Sequence, residues 1–278
     1  MLKLMEAVQT MSKIVNNERL FNDFKLMISK HSNKQINIIC LHSPKGKGKT
    51  TVINYFYDYC LQNDIICTLT DFNESYQSFN CIEDFFDNII FELGDIVDGN
   101  ECFTNYYTEI NNQYAIRANS NIALEKVKMT NTSIGNVSFG FNSENKEKHF
   151  NNMIADSFFK DLKKLKKKIV IFIDHFEVAP QRLKEIIIKY FLKNSSLKPN
   201  IFIVMATEDN LLSKTELKKY SNVEIAQLPE EYKYDDWKKF CIEIRVDEKL
   251  LQPIFNLYKD DPLRMRIALK PHEGSSPK

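Results

Sequence analysis

Two stretches of opposite character flank one short loop near the start of the chain. Ile36–Leu41 is a brief apolar run with β-branched residues, the pattern of a buried strand. Thr50–Leu61 reads as a helix rich in aromatics. Between them runs LHSPKGKGKTT, Leu41–Thr51. The template for a backbone cradle around phosphate is G-x-x-x-x-G-K-[ST], set between a strand and a helix. Gly48, Lys49 and Thr50 meet its last three positions, while Ser43 stands at the first glycine position.

Glycine is scarce here, 7 in 278 residues, about 2.5% where roughly 7% is usual. Two of the seven, Gly46 and Gly48, sit in this loop. A phosphate chain needs backbone N–H groups at a helix N-terminus with no side chains in the way. Gly46 and Gly48 provide that close approach and the backbone angles it demands. Lys49 places its charge at the β- and γ-phosphates, and the Thr50 hydroxyl is a Mg²⁺ ligand. Ser43, Pro44, Lys45, Lys47 and Thr51 complete the expected phosphate contacts. A dinucleotide fingerprint is excluded, because Gly46-x-Gly48-x-x-Thr51 lacks its third glycine.

The rest of the chain alternates strands with helices. Ile65–Leu69 is a second strand candidate and Ile82–Leu93 a second helix. A helix is expected over 151–167, then a five-residue apolar run, Ile169–Ile173, without alternation, which means a strand buried on both faces. A helix over 180–193 and another buried strand, Ile201–Ala206, follow. The expected fold is α/β: a central, mostly parallel sheet covered by helices on both faces, with a small C-terminal helical lid. The expected organisation is an N-terminal helical segment (1–34), a core (35–228), a lid (229–270) and a disordered tail (271–278). Within the core, 98–150 is rich in Asn, Ser and Thr and reads as a polar insertion, with a short strand or hairpin over 134–141.

Two acids extend the chemistry. A carboxylate ending a neighbouring buried strand holds Mg²⁺ in phosphate-loop hydrolases, and a second acid orients the attacking water. Asp174 directly follows Ile169–Ile173, and Glu177 is the candidate for the second role. His175 lies where many such enzymes carry a glutamate. Thr207, ending the next strand, is placed to reach the γ-phosphate.

Charge excludes some partners. Lys plus Arg is 38 and Asp plus Glu 37, so a strongly basic nucleic-acid binder is not indicated. No apolar run approaches the roughly 20 residues of a membrane span. The six cysteines, scattered without a C-x-x-C pair, read as free thiols in a reducing cytoplasm.

With these residues in view, the chain resembles the STAND class of phosphate-loop ATPases, within the wider AAA+/STAND group. The segment NNERLF (Asn16–Phe21) looks like the motif that precedes the first strand and lies near the adenine. Ser43–Thr51 matches the family's compact phosphate loop, and IDHFE (Ile173–Glu177) is similar to its acidic strand end. YKDDPLRMR (Tyr258–Arg266) looks like the lid element whose proline faces the adenine, with Asp260 in place of the lid glycine.

The resemblance implies nucleotide contact by Arg19, Mg²⁺ support by Asp174 and lid contact by Pro262. The residues alone equally allow a surface charge at Arg19 and a helix start at Pro262. It further implies an ATP- and Mg²⁺-dependent cytoplasmic switch acting as a homo-oligomer or beside a separate effector protein, in signalling or antiviral defence. The alternative is an AAA+ ATPase acting on DNA, of the origin or transposition loader type. ATP is preferred over GTP because no N-K-x-D motif is evident.

Overall fold

The computed structural model describes residues 18–29, 36–73, 79–94, 102–129, 143–196, 200–208, 222–229, 232–259 and 262–274. In chain order the elements are α1 (Glu18–Ser29), β1 (Ile38–His42), α2 (Lys49–Gln62), β2 (Ile66–Asp71), α3 (Ile82–Gly94), α4 (Thr104–Met129), α5 (Ser143–Lys164) and β3 (Ile169–Asp174). A 3-10 turn (Phe176–Val178) leads to α6 (Gln181–Ile186), a π-helical stretch (Ile187–Leu192) and α7 (Lys193–Ser196). Then come β4 (Ile201–Thr207), β5 (Val223–Gln227), α8 (Tyr234–Glu243), α9 (Glu248–Tyr258), α10 (Pro262–Leu269) and a closing 3-10 turn (Lys270–His272).

The chain forms two compact units. One comprises Met1–Ser78, Lys168–Pro180 and Pro199–Lys278; the other comprises Phe79–Lys167 and Gln181–Lys198. The first holds the whole sheet, in the order β2-β3-β4-β1-β5. Every pairing is parallel. This agrees with the α/β expectation and explains the unalternated runs. On β3, Val170 and Phe172 join a cluster with α1 and α2, while Ile169, Ile171 and Ile173 on the opposite face are buried as well. The α1–α2 side is aromatic: Phe24 stacks on Phe56 with centroids 4.3 Å apart and also meets Phe172 at 6.2 Å. A stacked pair of this kind adds about 0.5–1.5 kcal/mol beyond its area burial.

Register carries the sheet's consequence for function. His42 lies opposite Thr207 and Gln227, and Asp71 lies opposite Asp174. All strands run the same way, so these residues gather at one edge of the sheet, the carboxyl edge where α/β folds place their ligands.

The second unit departs most from expectation. The polar stretch read as an insertion contains α4, 26 residues long, and α5 starts at Ser143 rather than near 151. Phe150, Ile154, Phe158 and Leu162 of α5 are buried at helical spacing. Phe86 of α3 stacks on Phe158 at 4.2 Å. The start of α4 is tied to α5 by the buried Asp161 carboxylate, which accepts from Asn105 Nδ2 at 2.5 Å, Tyr106 N at 2.9 Å and Lys164 Nζ at 2.7 Å. Farther along α4, Tyr114 and Ile116 are exposed. A sequence with so little apolar periodicity leaves no helical stripe to read. The hairpin expected over 134–141 lies outside the described residues.

In the first unit, α8, α9 and α10 bury their own cluster, including Tyr232, Trp237, Phe240, Leu251, Met265 and Leu269. Asp236 caps α8 by accepting from Lys233 N, and Asp247 caps α9 by accepting from Lys249 N, each at 2.9 Å. The tail expected to be disordered from 271 continues in the closing 3-10 turn, and Gly274 N donates to Ile244 O at 3.1 Å.

Candidate functional site

The loop between β1 and α2 takes the shape its glycines permit. Gly46 has φ +79 and Gly48 φ +90, angles that strain any residue with a Cβ. A Cβ on Gly46 would meet nothing within 4 Å, so the space above the loop is open. Gly48 begins α2 without any side-chain cap. The helix's first N–H groups are therefore left to an external acceptor, with the positive end of the helix dipole behind them.

Lys49 is 7% exposed. Its ammonium donates to Ser43 O at 2.6 Å and Pro44 O at 3.1 Å, and stands 3.9 Å from the Glu208 carboxylate. Burial lowers its pKa, against the raising effect of Glu208, Glu177 and Asp174. The two backbone carbonyls hold the ammonium at the loop, where a polyanion can reach it. Ser43, at the first glycine position, is fully buried and donates to Pro44 O at 3.4 Å.

Asp174 is 2% exposed at the end of β3. Burial raises its pKa; the charge of His175, a hydrogen bond from the Thr50 hydroxyl and another from His175 N oppose that shift. The His175 N contact is 2.8 Å. Thr50 and Asp174 thus set a hydroxyl and a carboxylate side by side, an all-oxygen pair suited to a hard divalent cation such as Mg²⁺.

His175 turns through the left-handed region, φ +51, and its Nδ1 lies 2.8 Å from Asp71 Oδ1. Burial works against its charged form, but Asp174, Asp71 and Glu177 together raise its pKa. Asp71, Asp174 and His175 present ligand atoms within 4.8 Å of one another. Glu177 accepts from Glu208 N at 3.1 Å, joining the ends of β3 and β4.

These groups border a cavity of about 410 Å³. One wall is polar, with Gly46, Gly48, Lys49, Thr50, Glu177 and Glu208; the other is Tyr232, Trp237, Phe240, Val178, Pro262 and Arg266. Trp237 is 1% exposed, and its indole N–H is buried with no hydrogen-bond partner among the described residues. Arg266 is half-buried; burial lowers its pKa and Glu273 only partly offsets this. Tyr232 donates from its hydroxyl to Lys47 O at 3.2 Å.

A model of the KAP family P-loop domain matches residues 17–246. The chain belongs to the KAP family of P-loop domains. Membership implies a nucleotide and, typically, Mg²⁺, and it names KAP where the motifs had pointed to STAND. The match ends before α9, so Pro262 and Arg266 lie beyond it. Among solved structures, Cdc6p of Pyrobaculum aerophilum is similar at 11% identity and TM-score 0.50, over 95% of this chain and 63% of that one. The Walker-type ATPase of Pyrococcus abyssi is similar at 11% identity and TM-score 0.47, over 92% and 67%. ORC1 of Aeropyrum pernix, solved with DNA, follows at 10% identity and TM-score 0.49, over 93% and 60%. The chain thus spans about two thirds or less of each, and at these identities Cdc6p speaks for the fold alone. No curated protein matches the sequence.

The residues expected from sequence divide into three groups. Lys45, Gly46, Gly48, Lys49, Thr50, Thr51, Glu177 and Pro262 line the cavity. Ser43, Pro44, Lys47 and Asp174 stand behind that lining, each bonded to a residue or peptide that forms it. Arg19 and Thr207 are not among the lining residues. Arg19 is 96% exposed in its side chain and faces Asp23 on its own helix. Thr207 is buried opposite His42, and the next residue, Glu208, takes the place at the cavity. Pro262 both begins α10 and lines the cavity, and Asp260 lies outside the described residues. Sequence reasoning missed Asp71, Glu208, Tyr232 and Trp237. Asp71 alone had a readable signal, an acid closing an apolar run just as Asp174 does.

Proposed function

We propose that this KAP domain is a Mg²⁺–ATP-dependent switch of STAND type, binding nucleotide between the phosphate loop and the C-terminal helical cluster. The observation that carries the reading is a cavity lined both by the phosphate loop and by aromatic rings. An occupant in contact with both must have an anionic end for Lys49 and the uncapped start of α2, and a flat, apolar end for Trp237, Phe240 and Pro262. A nucleotide has that shape and polarity.

In this reading Lys49 and the Gly48-led turn hold the β- and γ-phosphates, while Thr50 and Asp174 hold Mg²⁺. The metal's contribution when bound is to offset charge on the phosphate oxygens. Glu177, fixed by Glu208 N, orients a water toward the terminal phosphorus, and Arg266 faces the ligand from α10. Exchange of ATP for ADP then alters how α8–α10 engage the ligand and favours self-assembly in the ATP state.

Calorimetry paired with light scattering tests this. Wild-type protein is expected to bind Mg²⁺–ATP and to increase in mass on binding. Lys49→Ala is expected to bind at least about 100-fold more weakly, as when one partner of a buried charged contact is removed. Equal affinities for wild type and Lys49→Ala would overturn the nucleotide reading. Binding without a change in mass would remove assembly while leaving the site, and salt-sensitive DNA retention would favour the loader alternative.

A further inference from the structure

Tyr232 joins the phosphate loop to the helical cluster. Its hydroxyl donates to Lys47 O at 3.2 Å, its ring centroid lies 6.0 Å from that of Trp237, and it is 6% exposed within the cluster. Modelling a Cβ onto Gly48 would place it 3.8 Å from the same hydroxyl. The loop and the tyrosine are thus in close register.

The chemistry follows from peptide geometry. The Lys47 carbonyl and the Gly48 N–H belong to one planar unit and point in opposite directions. A bond that fixes the carbonyl therefore fixes the N–H. Gly48 at φ +90 has little backbone preference of its own to do this. An outside hydrogen bond supplies the constraint, and the Gly48 N–H it aims is a donor of the phosphate cradle.

We propose that Tyr232 is a positioning residue that orients the Lys47–Gly48 peptide for phosphate and carries phosphate occupancy to the helical cluster through Trp237. The proposal rests on the nucleotide reading above. Coupling of this kind is reciprocal: whatever the hydroxyl contributes to phosphate affinity, bound phosphate contributes to seating Tyr232 against Trp237.

Trp237 is the sole tryptophan of the chain, so emission excited beyond the tyrosine absorption band reports its surroundings alone. Inorganic pyrophosphate is the probe, because it has phosphates and no base to stack on Trp237. Wild type is expected to bind Mg²⁺–pyrophosphate and shift its emission. Tyr232→Phe keeps the ring and its packing and is expected to melt close to wild type. Its pyrophosphate affinity should fall roughly three- to tenfold, the effect of one hydrogen bond. Its emission change at saturation should vanish even where calorimetry shows binding.

A purely structural role would leave that saturated signal intact. Pyrophosphate binding to wild type without an emission change overturns the proposal, as does an equal affinity and equal signal in Tyr232→Phe. Absence of heat with both ATP and pyrophosphate would fell the nucleotide reading itself, and this inference with it.

Discussion

The polar and the apolar walls of the cavity are made by different means. Backbone makes the first: two glycines at positive φ, an uncapped helix start, carbonyls holding Lys49, and the turns after β3 and β4 that deliver Glu177 and Glu208. Side chains make the second: Tyr232, Trp237 and Phe240 project from a helical cluster with its own core. A wall built from backbone demands specific residues at fixed spacing, so it leaves a motif. A wall built from packed rings can be assembled from many sequences, so it leaves only composition.

That contrast can be broken at either wall. The largest expected effect is at the polar wall, where Glu177→Gln should slow phosphate release by ~10²–10⁴-fold, the usual weight of a positioned general base. Its remaining amide oxygen can still accept from Glu208 N, so ATP affinity in calorimetry should hold. Unchanged turnover would move the water-orienting role elsewhere, with Glu208 and His175 the nearest groups.

At the apolar wall, Trp237→Phe keeps a ring but removes part of the indole that lines the cavity. Its ATP affinity should drop by about fivefold, near 1 kcal/mol, with pyrophosphate affinity unchanged. A matching drop for pyrophosphate would mean that Trp237 supports the loop rather than a base. The smallest effect belongs to Arg19→Ala, which titrations with ATP should find indistinguishable from wild type. A clear loss there would restore the adenine-side role that the STAND resemblance implied.

Legibility in the sequence follows the same line. LHSPKGKGKTT and the run before Asp174 set out the sheet's centre and the phosphate side, because close backbone approach and double-faced burial each restrict residue choice. α4 could not be read, because its sequence shows little apolar periodicity. Tyr232 and Trp237 were missed for another reason: their relation to Lys47 and the cavity spans 185 residues in the tyrosine's case and exists only once the chain has folded. Arg19 owes its expected role to a short motif alone, and its exposed side chain faces Asp23 on its own helix.

The pairing of Asp71 opposite Asp174 has a consequence for how errors in this sheet would be felt. Side chains alternate faces along a strand, so a slip of β2 by one residue, about 3.3 Å, would present Thr70 or Phe72 where Asp71 belongs and turn the acid away. The phosphate loop, borne on β1 and α2, would be untouched. The His175–Asp71 contact therefore works as a vernier on the sheet: a chain closed one notch out of line would keep its cradle and lose its acid cluster.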